Sequence, residues 1–330
     1  MDPAQKKTRF GWVLLPVWGA GLFTVSGYLG GSVVLFDWTS QFKVQYALCL
    51  LICLPFLVFG RWRWTAVCAL VFLCLNLFEI APLYVSPGDK ATSHNLRLLL
   101  ANVHWGNLQR DAFYEMIETE SPDVIALLEY SQKWHDDLVP FLKEYPHHIV
   151  WTLQDSFGIA LYSRLPLQQA EVKTFGDAGV PSITASIEVG GRSLQLIATH
   201  PVPPMSSRWF YLRNQQLDLI AEFIRETDVP VILMGDLNCT PYSPIYKSLM
   251  RQTKLKSTRN GFGLNTTWPE TAGGVVRKSM AIILQIPIDH ILIDRQIQVK
   301  DCRRGPAIGS DHRPLLTDLR VHAMNDGNGI

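Results

Sequence analysis

Long apolar blocks fill the first quarter of the chain, and shorter apolar runs separated by polar residues follow them. The blocks cover about residues 10–36, 44–59 and 64–84. A membrane-spanning helix needs about 20 apolar residues, and Trp and Tyr near the block ends are typical of the membrane–water interface. The pattern predicts an N-terminal transmembrane region over residues 1–85 with about three helices. The alternatives are a buried helical bundle or, for the first block alone, a cleaved signal peptide.

The positions of lysine and arginine around these blocks predict an orientation. Lys6, Lys7 and Arg9 precede the first block, and Arg61 and Arg63 lie between the second and the third. Cytoplasmic loops of membrane proteins are enriched in these residues, so we expect the N-terminal tail and this loop in the cytoplasm. Three crossings then place the rest of the chain outside the cytoplasm, in the periplasm of a bacterium.

After the apolar blocks, strand-like and helix-like patterns alternate. Residues 86–95 read as a polar linker, residues 96–321 as one α/β domain with mixed sheets, and residues 322–330 as a tail. The predicted strands are Leu96–Val103, Val124–Leu128, His147–Leu153, Gly158–Tyr162, Ser182–Val189, Ser193–Thr199, Val231–Asp236, Ile288–Ile293 and Leu315–Val321; the predicted helices are Leu108–Glu120, Gln132–Glu144 and Ser206–Glu226.

Composition restricts the classes of partner. The chain is 48% hydrophobic and only 18% charged, and the apolar excess lies in the first 85 residues. From Ala91 onward acidic residues slightly outnumber basic ones, which differs from a generic nucleic-acid-binding domain, although a local basic patch would suffice. The six cysteines do not form a disulfide framework, but Cys239 and Cys302 could pair in an extracytoplasmic domain.

Polar residues recur where the apolar strands end. In VILMGDLN, Asp236 and Asn238 are two residues apart and therefore point the same way on an extended backbone. Strand ends of an α/β sheet meet at one edge, where sites are built. The other strand-end residues are Asn102 in LRLLLAN, Glu129 in VIALLE, His200 in LQLIATH, Asp289 in IPIDHILI, and Asp311 and His312 in GSDHRPLL.

These residue types indicate phosphoester chemistry. Carboxylate and amide oxygens suit a hard divalent cation such as Mg²⁺ or Mn²⁺. Histidines with aspartate partners suit phosphate binding and proton transfer. The sequence has no Gly-rich phosphate loop, so we expect no nucleotide cofactor. It also has no Gly-x-Ser-x-Gly motif for a serine nucleophile. The residues predict metal-assisted hydrolysis of a phosphate ester by an activated water; a non-catalytic binding module would have no chemical need to keep them all.

The motifs NVHW, LLEY, ATH, GDLN, IDHILI and GSDHRPL, in this order, resemble those of the endonuclease/exonuclease/phosphatase superfamily over residues 96–321. The resemblance implies a four-layer α/β sandwich, in which two mixed β-sheets pack face to face with helices outside. It also implies Mg²⁺-dependent hydrolysis of phosphomonoesters or phosphodiesters.

On the metal side, the resemblance implies that Glu129 is the principal metal ligand, with Asn102 beside it. Asp311 corresponds to an additional metal-side carboxylate. His104 occupies a position where apurinic endonucleases have an aspartate, which puts a second carboxylate-bound metal in doubt.

On the catalytic side, the resemblance implies that Asp236 orients or deprotonates the attacking water and that Asn238 positions water or phosphate. His312 corresponds to the histidine that contacts phosphate, and Asp289 to its carboxylate partner. His200 corresponds to a second histidine of the deoxyribonuclease and sphingomyelinase branches, where it binds phosphate or protonates the leaving oxygen.

Three further residues are candidates for substrate binding. Arg208 and Arg213 flank an aromatic trio after His200 and could bind a phosphate, or simply belong to a solvated helix start. Trp268 precedes the Asp289 strand and is predicted to wall the substrate pocket. The substrate is either nucleic acid or a phospholipid headgroup, and the N-terminal helices are expected to hold the protein in the lipid bilayer.

Overall fold

Two β-sheets form the centre of the protein in a computed structural model, which describes residues 11–85, 90–270 and 281–323. Within these residues each sheet has six strands. The strands are β1 Leu96–Asn102, β2 Val124–Leu128, β3 His147–Trp151, β4 Ile159–Ser163, β5 Gln168–Thr174, β6 Pro181–Val189, β7 Arg192–Thr199, β8 Val231–Asp236, β9 Lys256–Ser257, β10 Asp289–Ile293, β11 Gln298–Arg304 and β12 Leu315–Arg320.

Both sheets are mixed. The first has the strand order β11-β12-β1-β2-β4-β3 and the second β5-β6-β7-β8-β10-β9. One parallel pair lies near the middle of each sheet, β1 with β2 and β7 with β8. The other described pairs are antiparallel. This arrangement brings the ends of the central strands of each sheet to one edge.

Helices cover the outer faces of both sheets. The described helices are α1 Leu14–Ser26, α2 Val34–Ser40, α3 Lys43–Phe59, α4 Arg63–Ile80, α5 Asp111–Glu120, α6 Gln132–Leu138, α7 Ser207–Arg225 and α8 Pro244–Thr253, with short 3-10 turns at Gly11–Val13, Gly27–Leu29, Ala81–Leu83 and Val139–Phe141. Helices α5 and α6 cover the first sheet, and α7 and α8 the second.

The core between the sheets follows from the two-residue period of the strands. Leu98 and Leu100 of β1 point between the sheets, whereas Leu99 and Ala101 point toward α5 and α6. Ile232 and Met234 of β8 face the same inner core from the second sheet. The result is the four-layer α/β sandwich that the resemblance implied.

The N-terminal region is helical. Two helices, Gly11–Leu29 and Arg63–Leu83, are long and apolar enough to cross a membrane, and Val34–Ser40 with Lys43–Phe59 would make a third if that pair, bent by 61°, is one span. The first apolar block is therefore shorter than the sequence predicted. The helix ends near Gly30, where a Cβ would lie 2.8 Å from the Asp37 Cα, so glycine is needed for the close approach of the two segments.

The helical region docks on the α/β domain through polar contacts. Asp37 Oδ2 accepts a hydrogen bond from Arg213 Nη2 at 2.9 Å, and both side chains are completely buried. Gln41 Oε1, between α2 and α3, accepts one from the backbone N–H of Thr240 at 2.7 Å. We call the segment Asp37–Phe42, which makes these contacts, the elbow.

The strand and helix predictions agree with the structure for the buried elements and fail for several exposed ones. Helix Leu108–Glu120 begins later, at Asp111, and helix Gln132–Glu144 is shorter, with a 3-10 turn after Leu138. Strands β5, β9 and β11 and helix α8 were not predicted. Part of the predicted linker, 86–89, and most of the tail, 324–330, lie outside the described residues, as do Lys6, Lys7 and Arg9.

Candidate active site

The predicted site residues converge at one edge of the sandwich. Asp236 ends β8, and Asp289 begins the antiparallel strand β10 directly opposite it in register. His200 follows β7, the parallel neighbour of β8. From the first sheet, Glu129 follows β2, and His312 lies in the loop that enters β12. The fold thus brings together residues that are more than 180 positions apart in sequence.

A cluster of buried carboxylates and imidazoles forms the first half of the site. His312 Nδ1 lies 2.9 Å from Asp289 Oδ2, and His312 Nε2 lies 3.6 Å from Asp236 Oδ2. His200 Nε2 lies 3.4 Å from the same Asp236 oxygen. The backbone N–H of Asn238 donates to Asp236 Oδ1 at 2.9 Å. One carboxylate, Asp236, therefore stands between two histidines that open on the same cavity.

The carboxylates of this cluster raise the pKa of both histidines. Burial disfavours the charged ring of His312, but the charge of Asp289 and its hydrogen bond raise the pKa of His312 to about 10. Burial likewise opposes ionisation of Asp289, but the charge of His312 holds the pKa of Asp289 below its ordinary value. Burial opposes the charged form of His200 too, yet the hydrogen bond and charge of Asp236 raise the pKa of His200. Two buried histidines with raised pKa values are suited to bind a phosphate.

Oxygen-bearing side chains form the second half. Asn102 Nδ2 donates to Glu129 Oε1 at 3.0 Å, and His104 Nδ1 lies 3.3 Å from Glu129 Oε2. The same His104 nitrogen lies 3.8 Å from Asp311 Oδ1. Asp311 Oδ1 is buried and accepts no hydrogen bond from the described residues. The Asp311 side chain as a whole is 48% exposed, and carboxylate and amide oxygens of this kind fit a hard divalent cation.

A second group, Asp236, Asp289 and His312, also places one ligand atom from each residue within 4.8 Å of the others. In this group Asp289 Oδ2 also lies in the hydrogen bond with His312, whereas the Glu129 side offers carboxylate and amide oxygens, the ligand type that Mg²⁺ prefers.

Unusual backbone conformations mark both halves. His104, Glu129 and Asn238 all have positive φ, at 57°, 56° and 51°. None is glycine, although Asn and His adopt this conformation more readily than most residues. Five other described non-glycine residues have positive φ elsewhere, so the conformation is not confined to the site.

A buried arginine supports the start of β10. Arg259 is completely buried, donates to the backbone carbonyl of Asp289 at 2.6 Å and lies 3.3 Å from His290 Nδ1. His290 Nε2 lies 2.8 Å from the carbonyl of Cys239. Burial and the Arg259 charge lower the pKa of His290 to about 3, so this ring is neutral and structural. Cys239 and Cys302 are both buried free thiols and are not paired.

A cavity of about 560 Å³ opens over both halves. Trp268 lines it and donates from Nε1 to Asp311 Oδ2 at 3.3 Å, as expected for a residue that walls the pocket. Arg208 does not line this cavity; it lies exposed on a smaller neighbouring one. Arg213 does not reach the cavity either, because its guanidinium is buried against Asp37 and the carbonyl of Asn238. The two arginines therefore do not line this cavity, and their predicted contact with substrate stays a prediction.

Comparison with protein families gives a match over residues 92–312 to the Endonuclease/Exonuclease/phosphatase family. The chain belongs to this family. Its motifs were the basis of the resemblance noted from the sequence, and the family is one of hydrolases that act on phosphoester bonds. Comparison with the curated proteins finds no match.

Solved structures share the fold at low sequence identity. The endonuclease/exonuclease/phosphatase from Bacteroides vulgatus is 20% identical, with a TM-score of 0.56 over 69% of this chain and 99% of that one. A 3′ phosphatase from Neisseria, bound to product DNA hairpin, is 19% identical, with a TM-score of 0.56 over 68% and 100%. Humanized D. rerio TDP2 is 15% identical, with a TM-score of 0.56 over 68% and 99%. At these identities the likeness establishes the fold alone.

Several residues that line the cavity were not predicted from the sequence. Trp38, Gln41 and Phe42 of the elbow line the cavity beside the catalytic residues, and so does Phe157. Only one signal was available for the elbow: Asp37 is a carboxylate within a largely apolar stretch, and a charge at such a position requires a partner.

Proposed function

We propose that this protein is a membrane-anchored, divalent-metal-dependent phosphoesterase whose catalytic domain, residues 96–321, lies outside the cytoplasm. The observation that carries the proposal is the convergence of His200, Asp236 and His312 on one cavity, opposite the oxygen cluster of Glu129 and Asp311. Candidate spans at the N-terminus support the anchor, and the Lys and Arg distribution supports the orientation.

Proposed roles follow from the contacts of each side chain. The protonated rings of His200 and His312 bind the phosphate oxygens and offset their charge. Asp236 accepts the proton of the attacking water, and Asn238 orients that water or a phosphate oxygen. Asp289 fixes the ring of His312 so that Nε2 faces the cavity.

The proposed metal position is built by Glu129, Asp311 and the side-chain oxygen of Asn102. Bound Mg²⁺ or Mn²⁺ would supply Lewis-acid polarisation of the phosphoryl oxygen. Asn102 and His104 hold the Glu129 carboxylate in place through its two oxygens, and orienting contacts of this kind increase metal affinity.

The test uses the full chain in detergent with bis-p-nitrophenyl phosphate, and Mg²⁺, Mn²⁺ or EDTA. We expect metal-dependent release of p-nitrophenol, and His312→Ala and Asp236→Ala should each lower turnover by about 10²–10⁴-fold. A matched control is His148→Ala, which removes an exposed histidine of β3. Turnover that survives EDTA, or that is equal in His312→Ala and His148→Ala, would contradict the proposal.

Orientation needs a separate test. A reporter that is active only outside the cytoplasm, fused after Ile330, should be active. Activity from a cytoplasmic reporter alone would refute the proposed topology without affecting the assignment of the site.

A tethered nuclease is the second candidate. It is supported by the structural likeness to the Neisseria 3′ phosphatase bound to product DNA hairpin and to D. rerio TDP2 complexed with single strand DNA product. Single-stranded and double-stranded oligonucleotides in the same assay distinguish it, because a nuclease cleaves them in a metal-dependent way.

A further inference from the structure

The walls of the cavity are more apolar than phosphate chemistry requires. Most of its polar groups, including His200, Asp236 and His312, belong to the site described above, and the others are Gln41 of the elbow and Ser156. The remaining wall is largely aromatic or aliphatic, and its apolar members are Trp38, Phe42, Phe157, Pro203, Pro204, Met205, Trp209, Trp268, Ile286 and Ile288. A polar end beside an apolar wall is the shape of a site for an amphiphilic ligand.

Part of this wall comes from the helical region rather than from the catalytic domain. Trp38 and Phe42 belong to the elbow, which joins α2 to α3; the two helices make a candidate span only as a bent pair. Trp38 Nε1 donates to the carbonyl of Pro204 at 2.8 Å. Gln41 is held by the backbone of Thr240. The elbow is thus hydrogen-bonded to the catalytic domain and forms one side of the cavity.

The surface near the cavity is also apolar. Met205 and Trp209 line the cavity and remain 71% and 39% exposed. Ile282 and Ile283 lie a few residues before the wall residue Ile286 and are 63% and 67% exposed. Gln45, in the first turn of α3, donates to the carbonyl of Ile283 at 3.0 Å. This places the exposed apolar surface beside the first turn of α3, next to the N-terminal helical region.

Charge disfavours a polynucleotide as the occupant. Lysine and arginine are absent from the described residues that line this cavity. A nucleic acid carries a phosphate at every nucleotide, and proteins hold it chiefly with such cations. A lipid carries its phosphate at one end and a hydrocarbon chain at the other, which matches the two ends of this cavity.

We infer that the apolar wall, with Trp38 and Phe42 from the elbow, binds the hydrocarbon chain of a membrane-lipid phosphate ester whose phosphate lies at His200 and His312. The substrate class is thus an amphiphile that enters from the bilayer. This inference rests on the proposed phosphoesterase function and names its substrate.

The first test measures how the rate depends on chain length. The full chain is reconstituted with Mg²⁺ or Mn²⁺ and supplied with dihexanoyl or dioleoyl forms of phosphatidylglycerol, phosphatidylethanolamine and phosphatidic acid, and with an isoprenyl phosphate. We expect a higher kcat/KM for the long-chain form of the accepted headgroup. Phe42→Ala and Met205→Ala should each lower the long-chain to short-chain ratio about tenfold, because each removes apolar contact area. Phe78→Ala, an exposed aromatic side chain of α4, is the matched control and should leave the ratio unchanged.

The second test does not depend on turnover. A phospholipid with a photoreactive diazirine on its acyl chain is activated in vesicles, and its crosslinks are mapped by mass spectrometry. We expect crosslinks at Phe157, Ile286 and Ile288, which belong to the catalytic domain, and we expect excess unlabelled phospholipid to suppress them.

The outcomes separate the two proposals. Metal-dependent hydrolysis of bis-p-nitrophenyl phosphate, with equal rates on both chain lengths and no crosslinks in the cavity, overturns the lipid inference and leaves the phosphoesterase standing. Cleavage of oligonucleotides with lipids intact overturns the inference in favour of a nuclease. Crosslinks in the cavity without hydrolysis of any ester support the binding site and refute the enzymatic function.

Discussion

Replacing Asp37 by asparagine should destabilise the protein severely, although Asp37 lies in the helical region and outside the catalytic motifs. The substitution keeps the shape of the side chain and removes its charge. Arg213 would keep its contacts to Asn214 and to the carbonyl of Asn238 but would lose its ionic partner. Both side chains of the present pair are fully buried, so the guanidinium would remain as an uncompensated charge.

The expected magnitude follows from this burial. Removing one partner of a buried ion pair costs about 3–5 kcal/mol. For a domain of this size each kcal/mol corresponds to about 2–4 °C in Tm. We therefore expect Asp37→Asn to lower Tm by about 6–20 °C. Because Arg213 also holds the Asn238 carbonyl, kcat should fall more than KM changes.

The assay is thermal unfolding of the full chain in detergent, with turnover of bis-p-nitrophenyl phosphate measured alongside. A double variant, Asp37→Asn with Arg213→Met, removes both charges and should regain much of the lost stability. Glu144→Gln, which breaks the exposed ion pair with Arg164, is the control and should cost less than about 1 kcal/mol. The reasoning is refuted if Asp37→Asn behaves like Glu144→Gln, or if the double variant is no more stable than the single one.

Three further predictions concern the catalytic half and the metal half of the site. Asp289→Asn should lower kcat by about 10²–10⁴-fold, since it releases the ring of His312 and its charge; stopped assays under saturating Mg²⁺ test this, and unchanged kcat would contradict it. Glu129→Gln should raise the Mg²⁺ concentration for half-maximal activity about 10–100-fold, whereas an unchanged metal dependence would remove Glu129 from the metal position. In EDTA-treated protein, the Tm advantage of wild type over Asp289→Asn should be greatest below pH 6.5, where His312 is protonated in both the folded and unfolded states, and should decline as the pH rises to about 10. An advantage that grows over this range would contradict the assigned proton on His312.

The catalytic motifs could be placed from the sequence because local rules govern them. Each strand before Glu129, His200 and Asp236 is fully or largely buried, so its apolar run is continuous and its end is abrupt. The α/β architecture then brings such ends to one edge. The roles of these side chains remain predictions, since the structure gives their positions and contacts but not their chemistry.

The missed elements lack this apolar signal. Strand β5 reads QQAEVKT and is largely exposed, and β11 reads QVKDCRR at the edge of its sheet. Helix α8 could have been found, because Ser243 is its N-cap and Pro244 its first residue.

Long-range pairs of charged residues could not be predicted from the sequence. Lys247 of α8 forms an ion pair with Glu79 of α4 at 2.6 Å, and Arg259 is buried and donates to the carbonyl of Asp289. Arg213 was a candidate for phosphate binding or for a solvated helix start, but its partner Asp37 lies 176 residues away. Contacts at that separation leave no periodicity in the sequence, and composition alone cannot distinguish a buried arginine from a ligand-binding one.

The distance in sequence between Asp37 and Arg213 also has a consequence for how the protein is made. Asp37 leaves the ribosome about 10–35 s before Arg213 at ordinary elongation rates of about 5–20 residues per second. During that interval the carboxylate stands at the edge of an apolar segment with its partner still unsynthesised. A chain truncated before Arg213 would therefore carry the Asp37 carboxylate without the partner that neutralises it in the finished protein.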